Sequence, residues 1–154
     1  MKIHENYMHM AVELAKKGTG FVNPNPLVGA VIVKNGVVIG SGYHKKYGDL
    51  HAERNAFADC SESAEDADIY VTLEPCCHHG KTPPCTEAIV QNKIKRVFIG
   101  SDDPNPLVAG KGVQFLRENG IEVIFVRHDD GVGNPLTKGA DGFEVYEEFQ
   151  PEEQ

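Results

Sequence analysis

Strand and helix patterns alternate along most of this chain, and that alternation restricts the fold more than any other feature. Residues 3–18 place apolar side chains at helical spacing and end in two lysines and a glycine, which suit a helix C-terminus. Two strand patterns follow at 27–33 and 37–41, joined by the turn pair Asn35-Gly36. This part of the sequence predicts a helix followed by a β-hairpin.

Beyond the hairpin, helix and strand patterns succeed one another as far as residue 126. Helices are predicted over 51–60, 85–92 and 112–119, and strands over 69–73, 96–100 and 121–126. Strands that are separated by helices usually pair in parallel, and the helices then cover both faces of the sheet. The sequence therefore predicts an α/β fold.

The first helix pattern contains two histidines, His4 and His9. We expect both at the surface of the helix or at its boundary with the core. Met8, Met10 and Tyr7 are expected to fill the core, because side chains of these types at helical spacing usually do. No function is assigned to any of these residues.

The formal charge of −8 is concentrated at one end of the 154-residue chain. Residues 129–154 hold eight acidic side chains and a single lysine, so the preceding 128 residues carry a net charge of only −1. A body without a basic stripe argues against nucleic acid as a partner, but it permits one small phosphorylated ligand. We predict one domain over 1–128 and an acidic tail over 129–154 that forms no separate domain.

Apolar runs long enough for a membrane span are absent from the sequence, and its first ten residues lack the order of a secretory signal. On these grounds we expect a cytoplasmic protein without a membrane partner. The four cysteines Cys60, Cys76, Cys77 and Cys85 allow disulfides, but in a reducing compartment cysteines near histidines favour a metal site. Cys60 ends the predicted helix 51–60, away from the other cysteines, and is expected to pack as a small hydrophobe.

Three short segments combine metal-binding residue types with predicted strand or helix ends. They are His51-Ala52-Glu53, Glu74-Pro75-Cys76-Cys77-His78-His79-Gly80 and Lys81-Thr82-Pro83-Pro84-Cys85. The loops at strand carboxyl ends of an α/β sheet converge on one crevice, so His51, Cys76 and Cys85 can meet there. One imidazole and two thiolates leave the fourth position of a tetrahedral Zn²⁺ site open, which is typical of catalytic zinc. We expect Glu53 to be the base that takes a proton from water.

The spacing of His51 and Glu53 also predicts where their helix begins, because residues two apart in a regular helix point to nearly opposite sides. We expect His51 at the N-cap, Glu53 in the first turn and Cys85 at the start of its own helix. Two helix N-termini then help to stabilise the anionic ligands. A structural zinc site is the main alternative, but the interval from Cys76 to Cys85 is not a zinc-ribbon spacing.

His-Ala-Glu followed by Pro-Cys and a second Cys resembles the zinc-dependent cytidine-deaminase-like superfamily. Several longer runs are similar to the deaminase domain of the bifunctional deaminase/reductases of riboflavin biosynthesis: NPNPLVGAVIVKNG, GYHKKYGDLHAE, YVTLEPC, EPCCHHGKTPPC and DPNPLVAGKG. The likeness covers residues 3–126. It implies a three-layer α/β/α fold with a mixed, mostly five-stranded sheet.

The resemblance implies hydrolytic deamination of 2,5-diamino-6-(5-phosphoribosylamino)pyrimidin-4(3H)-one to 5-amino-6-(5-phosphoribosylamino)uracil and ammonia. It makes His51, Cys76 and Cys85 the zinc ligands and Glu53 the proton shuttle. Six further residues are expected to contact the substrate: Asn25, His44 and His78 at the pyrimidine, and Lys81, Asp103 and Asn105 at the ribose and phosphate.

The chain departs from the family pattern in two respects: two residues of one motif differ, and the reductase domain is missing. Cys77 and His79 stand where the family usually has Ser and Tyr, so Cys77 is a competing ligand, although the Glu-Pro-Cys register favours Cys76. The family normally continues into a nicotinamide-dependent reductase, and no such domain is expected here. Three explanations stay open: the reductase is a separate partner protein, the sequence is a fragment of a longer protein, or the deaminase has another task. A homo-oligomer is also expected, because members of the family associate through helix faces.

Other functions stay open on the sequence alone. A deaminase of another nucleobase or nucleoside uses the same chemistry, and a non-catalytic binding module keeps zinc only for stability. A nucleic-acid editor is disfavoured, because the chain is acidic and its Lys and Arg residues occur singly or in pairs.

Overall fold

A computed structural model of the chain describes residues 2–20, 27–45, 51–75, 84–101, 110–128 and 143–145. The helices are α1 (Lys2–Lys16), α2 (Ala52–Asp59), α3 (Cys85–Gln91) and α4 (Lys111–Glu118). The strands are β1 (Gly29–Lys34), β2 (Val37–Tyr43), β3 (Asp68–Val71), β4 (Arg96–Ile99), β5 (Glu122–His128) and β6 (Phe143–Val145). The predicted alternation is confirmed, and none of these described helices is long and apolar enough to cross a membrane.

The strands form one mixed sheet in the order β2-β1-β3-β4-β5-β6. β3, β4 and β5 are parallel, whereas β1 is antiparallel to both of its neighbours and β6 is antiparallel to β5. The first five strands are the expected sheet. The short β6 extends it and belongs to the segment 129–154, which the sequence predicts as a tail, so three residues of that segment are part of the fold. The domain limit at residue 128 stays a prediction.

The hairpin between β1 and β2 turns at the predicted pair. Asn35 and Gly36 both have positive φ, at 53° and 78°, and they separate the paired residues Lys34 and Val37. A two-residue turn with positive φ at both positions has the twist that adjacent antiparallel strands require. The Asn-Gly sequence thus sets the register next to the turn, as far as the pair Val33 and Val38. Beyond that pair the register shifts by one residue, and Ile32 pairs with Gly40.

The core has two halves because successive strand residues face opposite sides of the sheet. In β4, Val97 and Ile99 pack in the half covered by α2, α3 and α4, whereas Phe98 packs in the half covered by α1. β3 follows the same rule, with Ile69 and Tyr70 on opposite sides. This arrangement confirms the three-layer α/β/α fold.

Glycines let α1 and α2 approach the strands directly. A Cβ on Gly29 would overlap the carbonyl oxygen of Ala11, and a Cβ on Gly42 would lie 2.6 Å from the amide nitrogen of Ala56. Such separations exclude any other residue unless the helix moves away. The backbone of β2 therefore holds α2 close, which positions the start of α2 relative to the sheet.

His4 lies in the core rather than at the helix surface or boundary, so that expectation was wrong. The residue is 8% exposed, its Nδ1 atom lies 2.6 Å from the hydroxyl oxygen of Tyr70, and its ring stacks on Phe98 with centroids 4.5 Å apart. The hydrogen bond offsets the cost of burying a polar ring. Met8 is fully buried as expected, whereas Met10 is 40% exposed.

Candidate metal centre

Several predicted site residues lie at one edge of the sheet, where the parallel strands β3, β4 and β5 have their carboxyl ends. The antiparallel β1 begins at this edge, and the amide of Thr72 donates to the carbonyl oxygen of Gly29 at 3.1 Å. The segments after β3 and β4 are tied together by the amide of Glu74, which donates to Ser101 at 2.8 Å. This is the edge at which the sequence predicts a crevice.

His51 and Cys85 each stand at the beginning of a helix. His51 is the N-cap of α2, with extended φ and ψ of −71° and 165°, and Cys85 is the first residue of α3. The helical path therefore starts after His51, as the two-residue spacing to Glu53 requires. The predicted helix starts are confirmed, and both N-termini favour negatively charged groups nearby.

The separation of the two side chains suits a shared metal ion. The Nδ1 atom of His51 lies 3.3 Å from the Sγ atom of Cys85. A tetrahedral zinc ion with Zn–N of roughly 2.1 Å and Zn–S of roughly 2.3 Å holds such atoms about 3.6 Å apart. An imidazole nitrogen and a thiolate are also donors that zinc prefers, so these two residues fit the ion in geometry and in chemistry.

The third predicted ligand, Cys76, lies outside the described residues. Among the residues that are described, no three His, Cys, Asp or Glu side chains form a group that could hold a metal. The geometry thus describes two donors of the predicted site, and the complete ligand set stays a prediction.

Glu53 is buried in the first turn of α2, two positions after His51. Its side chain is only 3% exposed. At this position the N-terminus of α2 stabilises a negative charge, and bulk water has little access to the carboxylate. These surroundings suit a group that exchanges protons with a bound molecule rather than with solvent.

His44 packs against the candidate ligand His51. Its ring is 3% exposed and meets that of His51 edge-on, with centroids 5.3 Å apart and planes at 86°. The amide of His44 donates to the carbonyl oxygen of Val28 at 3.0 Å, which fixes the chain after β2 to the chain before β1. His44 therefore restricts the orientation of the His51 ring, and its contact with substrate stays a prediction.

Two residues whose contacts the sequence did not predict hold this region together. Arg54 on α2 donates through Nη2 to the carbonyl oxygen of Pro84, the N-cap of α3, at 3.2 Å. Glu74, which is 5% exposed, accepts hydrogen bonds from three backbone amides at the start of α4. The sequence gives a weak indication of the Glu74 contacts. Gly110-Lys111-Gly112 begins a helix without a capping side chain of its own, so the free amides need an acceptor from elsewhere in the chain.

The remaining predicted contacts and the two departures from the family pattern lie outside the described residues: Asn25, Cys77, His78, His79, Lys81, Asp103 and Asn105. Their roles stay predictions. Of the six predicted substrate contacts, only His44 is described.

Comparison with known proteins gives a consistent family assignment. The family model described as the cytidine and deoxycytidylate deaminase zinc-binding region matches residues 1–101. The riboflavin biosynthesis protein RibD of Actinobacillus pleuropneumoniae is 60% identical over 119 residues, which are 77% of this chain and 32% of that protein. The diaminohydroxyphosphoribosylamino-pyrimidine deaminase of Buchnera aphidicola subsp. Schizaphis graminum is 55% identical over 117 residues, which are 76% of this chain and 80% of that protein.

A solved structure has the same fold. It is the diaminohydroxyphosphoribosylaminopyrimidine deaminase/5-amino-6-(5-phosphoribosylamino)uracil reductase of Thermotoga maritima, with a TM-score of 0.77 and 53% sequence identity. The match covers 80% of this chain and 36% of that one. The chain thus spans about a third of the length of the Actinobacillus and Thermotoga proteins, but most of the length of the Buchnera protein.

Proposed function

This chain belongs to the family of the cytidine and deoxycytidylate deaminase zinc-binding region, and we propose that it is a hydrolytic deaminase of riboflavin biosynthesis. The proposed substrate is 2,5-diamino-6-(5-phosphoribosylamino)pyrimidin-4(3H)-one, and the products are 5-amino-6-(5-phosphoribosylamino)uracil and ammonia. The relatives from Buchnera and Thermotoga, which are named as deaminases of this substrate, support the choice. The observation that carries the proposal is the 3.3 Å separation of His51 Nδ1 and Cys85 Sγ, with Glu53 buried in the turn that follows His51.

We assign the zinc ion to His51, Cys76 and Cys85. Cys76 is included because it directly follows Pro75, which is buried at the same edge of the sheet. Three protein ligands leave a fourth tetrahedral position for a reacting molecule, which is the arrangement of catalytic rather than structural zinc sites. When bound, the ion supplies Lewis acidity, which lowers the pKa of water.

Hydrolytic deamination exchanges an amino group for oxygen, and the protons have to move in two steps. First, the oxygen of water bonds to the ring carbon that carries the 2-amino group, and one proton passes to the adjacent ring nitrogen. Then the carbon–nitrogen bond to the amine breaks, and the proton of the new hydroxyl group goes to that amine, which leaves as ammonia. Glu53 carries both protons in this scheme, because a carboxylate can accept a proton in one step and donate it in the next.

The substrate contacts divide according to the chemistry of the two ends of the substrate. At the pyrimidine we assign Asn25, His44 and His78, because amide and imidazole groups can both donate and accept hydrogen bonds. At the ribose and phosphate we assign Lys81, Asp103 and Asn105. Lys81 provides the positive charge that a phosphate requires in a body with little net charge.

The proposal is tested with purified protein by measuring zinc content together with ammonia release. The substrates to compare are the phosphorylated diaminopyrimidine, cytidine, deoxycytidylate and guanine. We expect one zinc ion per chain and turnover of the first substrate above all others. Preferential turnover of another substrate would replace the proposed substrate but keep the deaminase chemistry, whereas ammonia release from none of them would favour a non-catalytic zinc-binding module.

The associations predicted from the sequence are proposals of the same kind. A second copy of the chain is tested by light scattering of the eluted protein at several concentrations. A separate reductase is tested by adding one with a nicotinamide cofactor to the deamination reaction and following cofactor oxidation. We expect oxidation only when both proteins are present, because the reductase acts on the product of deamination.

A further inference from the structure

We propose that Glu74 is a positioning residue that couples the candidate metal centre to Ser101 and to the start of α4, which flank the predicted substrate contacts Asp103 and Asn105 in the sequence. The inference rests on the proposed deaminase function, since it concerns the zinc ion and the substrate of that site. Glu74 is not assigned any contact with the reacting atoms. It acts through the chain segments that it joins.

The carboxylate of Glu74 caps α4 from outside that helix. Its Oε1 atom accepts a hydrogen bond from the amide of Gly110 at 2.9 Å, and Oε2 accepts from Gly112 at 2.9 Å and from Val113 at 3.2 Å. These three amides belong to the N-cap and the first turn, where a helix lacks internal acceptors. Because Gly110 has no side chain with which to cap α4, the buried charge of Glu74 replaces the missing cap.

Glu74 also contacts the two described residues that flank segment 102–109 in the sequence. Its own amide donates to the carbonyl oxygen of Ser101 at 2.8 Å, and its Oε1 atom accepts from Gly110. Ser101 and Gly110 are the residues immediately before and after that segment. One residue therefore holds Ser101 through its amide and Gly110 through its carboxylate.

The residue after Glu74 is in direct contact with the same helix. A Cβ on Gly112 would overlap the carbonyl oxygen of Pro75 and would lie 3.2 Å from Glu74 Oε2. No rotamer removes a Cβ, so only glycine allows α4 to approach this closely. Cys76 follows Pro75, so a displacement at the start of α4 reaches the proposed zinc ligand through a single intervening residue.

The variant that tests this coupling is Glu74→Gln, and its matched control is Asp68→Asn. The glutamine side chain keeps the shape of glutamate but loses the charge and one acceptor oxygen, so it cannot accept from all three amides. Asp68 is also a partly buried acceptor, of two hydrogen bonds from Arg96 at 3.0 and 2.8 Å. It stands at the amino end of β3, whereas the candidate metal centre is at the carboxyl end.

The measurements are the zinc dissociation constant, by competition with a chromophoric chelator, and the separate kcat and KM for the phosphorylated diaminopyrimidine. For Glu74→Gln we expect zinc binding weaker by about tenfold or more. We also expect a rise in KM, because Gly110, which follows the predicted substrate contacts Asp103 and Asn105 in the sequence, loses a charged acceptor. Asp68→Asn should leave both quantities within about twofold of the wild type, even where it lowers thermal stability.

These outcomes separate the inference from the proposed function. A folded Glu74→Gln protein with wild-type zinc affinity and KM would overturn the inference while the deaminase proposal stands. Equal losses in Asp68→Asn would also overturn it, since general destabilisation would then explain them. A wild-type protein that binds no zinc would overturn the proposed function, and the inference with it.

A second measurement needs no variant and therefore does not depend on how Glu74→Gln folds. If Glu74 couples the candidate metal centre to the start of α4, the coupling is reciprocal. A stable start of α4 raises the affinity for zinc, and zinc binding stabilises the start of α4 by the same factor. Adding zinc to the wild-type protein should slow hydrogen exchange at the amides of Gly112 and Val113 by at least about threefold. Unchanged exchange at these amides on zinc binding would overturn the coupling.

Discussion

The Nη2 atom of Arg54 lies 3.2 Å from the carbonyl oxygen of Pro84, so a side chain on α2 holds the residue that precedes α3. Arg54 follows Glu53 in the chain, and Pro84 precedes Cys85. The hydrogen bond therefore connects the starts of the two helices that carry the proposed ligands His51 and Cys85. A change in Arg54 should affect the spacing between those ligands.

We expect Arg54→Ala to weaken zinc binding by roughly tenfold, because the two helix starts lose a direct connection near the metal. The free energy of unfolding should fall by about 1–3 kcal/mol, as for other hydrogen bonds from charged groups. Urea denaturation and chelator competition measure the two effects. Arg117→Ala is the matched control, since Arg117 donates through Nη2 to the carbonyl oxygen of Val123 at 3.2 Å, on α4 and β5. Equal zinc affinity in the two variants would contradict a role for Arg54 in spacing the ligands.

Glu53→Gln should lower the turnover of the phosphorylated diaminopyrimidine by about 10²- to 10⁴-fold, the usual contribution of a positioned proton-transfer group. An amide cannot exchange protons as a carboxylate does, so turnover should fall. Because the amide has the same shape, zinc content and thermal stability should change little by comparison. Ammonia release, metal analysis and thermal denaturation test these expectations. The control is Glu13→Gln on the exposed side of α1, which should behave as the wild type. Undiminished ammonia release by Glu53→Gln would remove Glu53 from the proposed mechanism.

Tyr70→Phe should lower the free energy of unfolding by about 1–3 kcal/mol, because the buried His4 ring then loses the hydroxyl at 2.6 Å. Tyr70 lies in the half of the core under α1, on the other side of the sheet from α2 and α3. Turnover per folded molecule should therefore be unchanged. Tyr7→Phe is the control, since its hydroxyl donates to the exposed carbonyl oxygen of Gly36 and its loss should cost less than about 0.5 kcal/mol. Similar urea midpoints for the two variants would show that the His4 contact contributes little.

Burial raises the pKa of the Cys60 thiol above its ordinary value, and the nearby carboxylates of Asp59 and Glu62 raise it further. Because this pKa is higher in the folded protein, the stability that the neutral thiol contributes is complete below the pKa of the unfolded chain. That contribution to stability is lost as the pH rises through the pKa of the thiol in the folded protein. Stability should thus decline at alkaline pH, and Cys60→Ala should reduce the decline.

The same shift predicts how Cys60 reacts. Its rate of alkylation by iodoacetamide, followed by mass spectrometry of the peptide that contains it, should reach half of its maximum above pH about 8.5, the value of an ordinary thiol. Glu62→Gln should lower this midpoint only in part, since burial is the largest cause of the shift. A midpoint at or below the ordinary value would contradict the expectation.

Helix starts and turns were predictable because the rules that set them act over a few residues. The interval between His51 and Glu53 excludes a helix that runs regularly through both while pointing them to one site, and the chain does begin α2 after His51. Asn35-Gly36 specifies a tight hairpin turn for the same local reason. The fold class followed from the order of such elements.

His4 and Glu74 have hydrogen-bond partners that local sequence patterns do not predict. A histidine one turn before Met8 lies on the buried face of α1, but its burial depends on Tyr70, 66 positions away, which the helix pattern does not reveal. Glu74 was part of a recognised motif, yet its acceptor role depends on amides 36–39 positions later. Polar residues are buried when they find such partners, and the partners are set by tertiary contacts.

Local sequence preferences account for the alternation of elements, the hairpin turn and the helix starts that carry His51 and Cys85, since propensity and turn chemistry operate between near neighbours. Long-range contacts set the strand order, the close contact of α2 with β2 at Gly42, and the hydrogen bonds that Arg54 and Glu74 make to distant backbone groups. Those features arise from packing between segments far apart in the chain, where burial and hydrogen-bond satisfaction outweigh local preference.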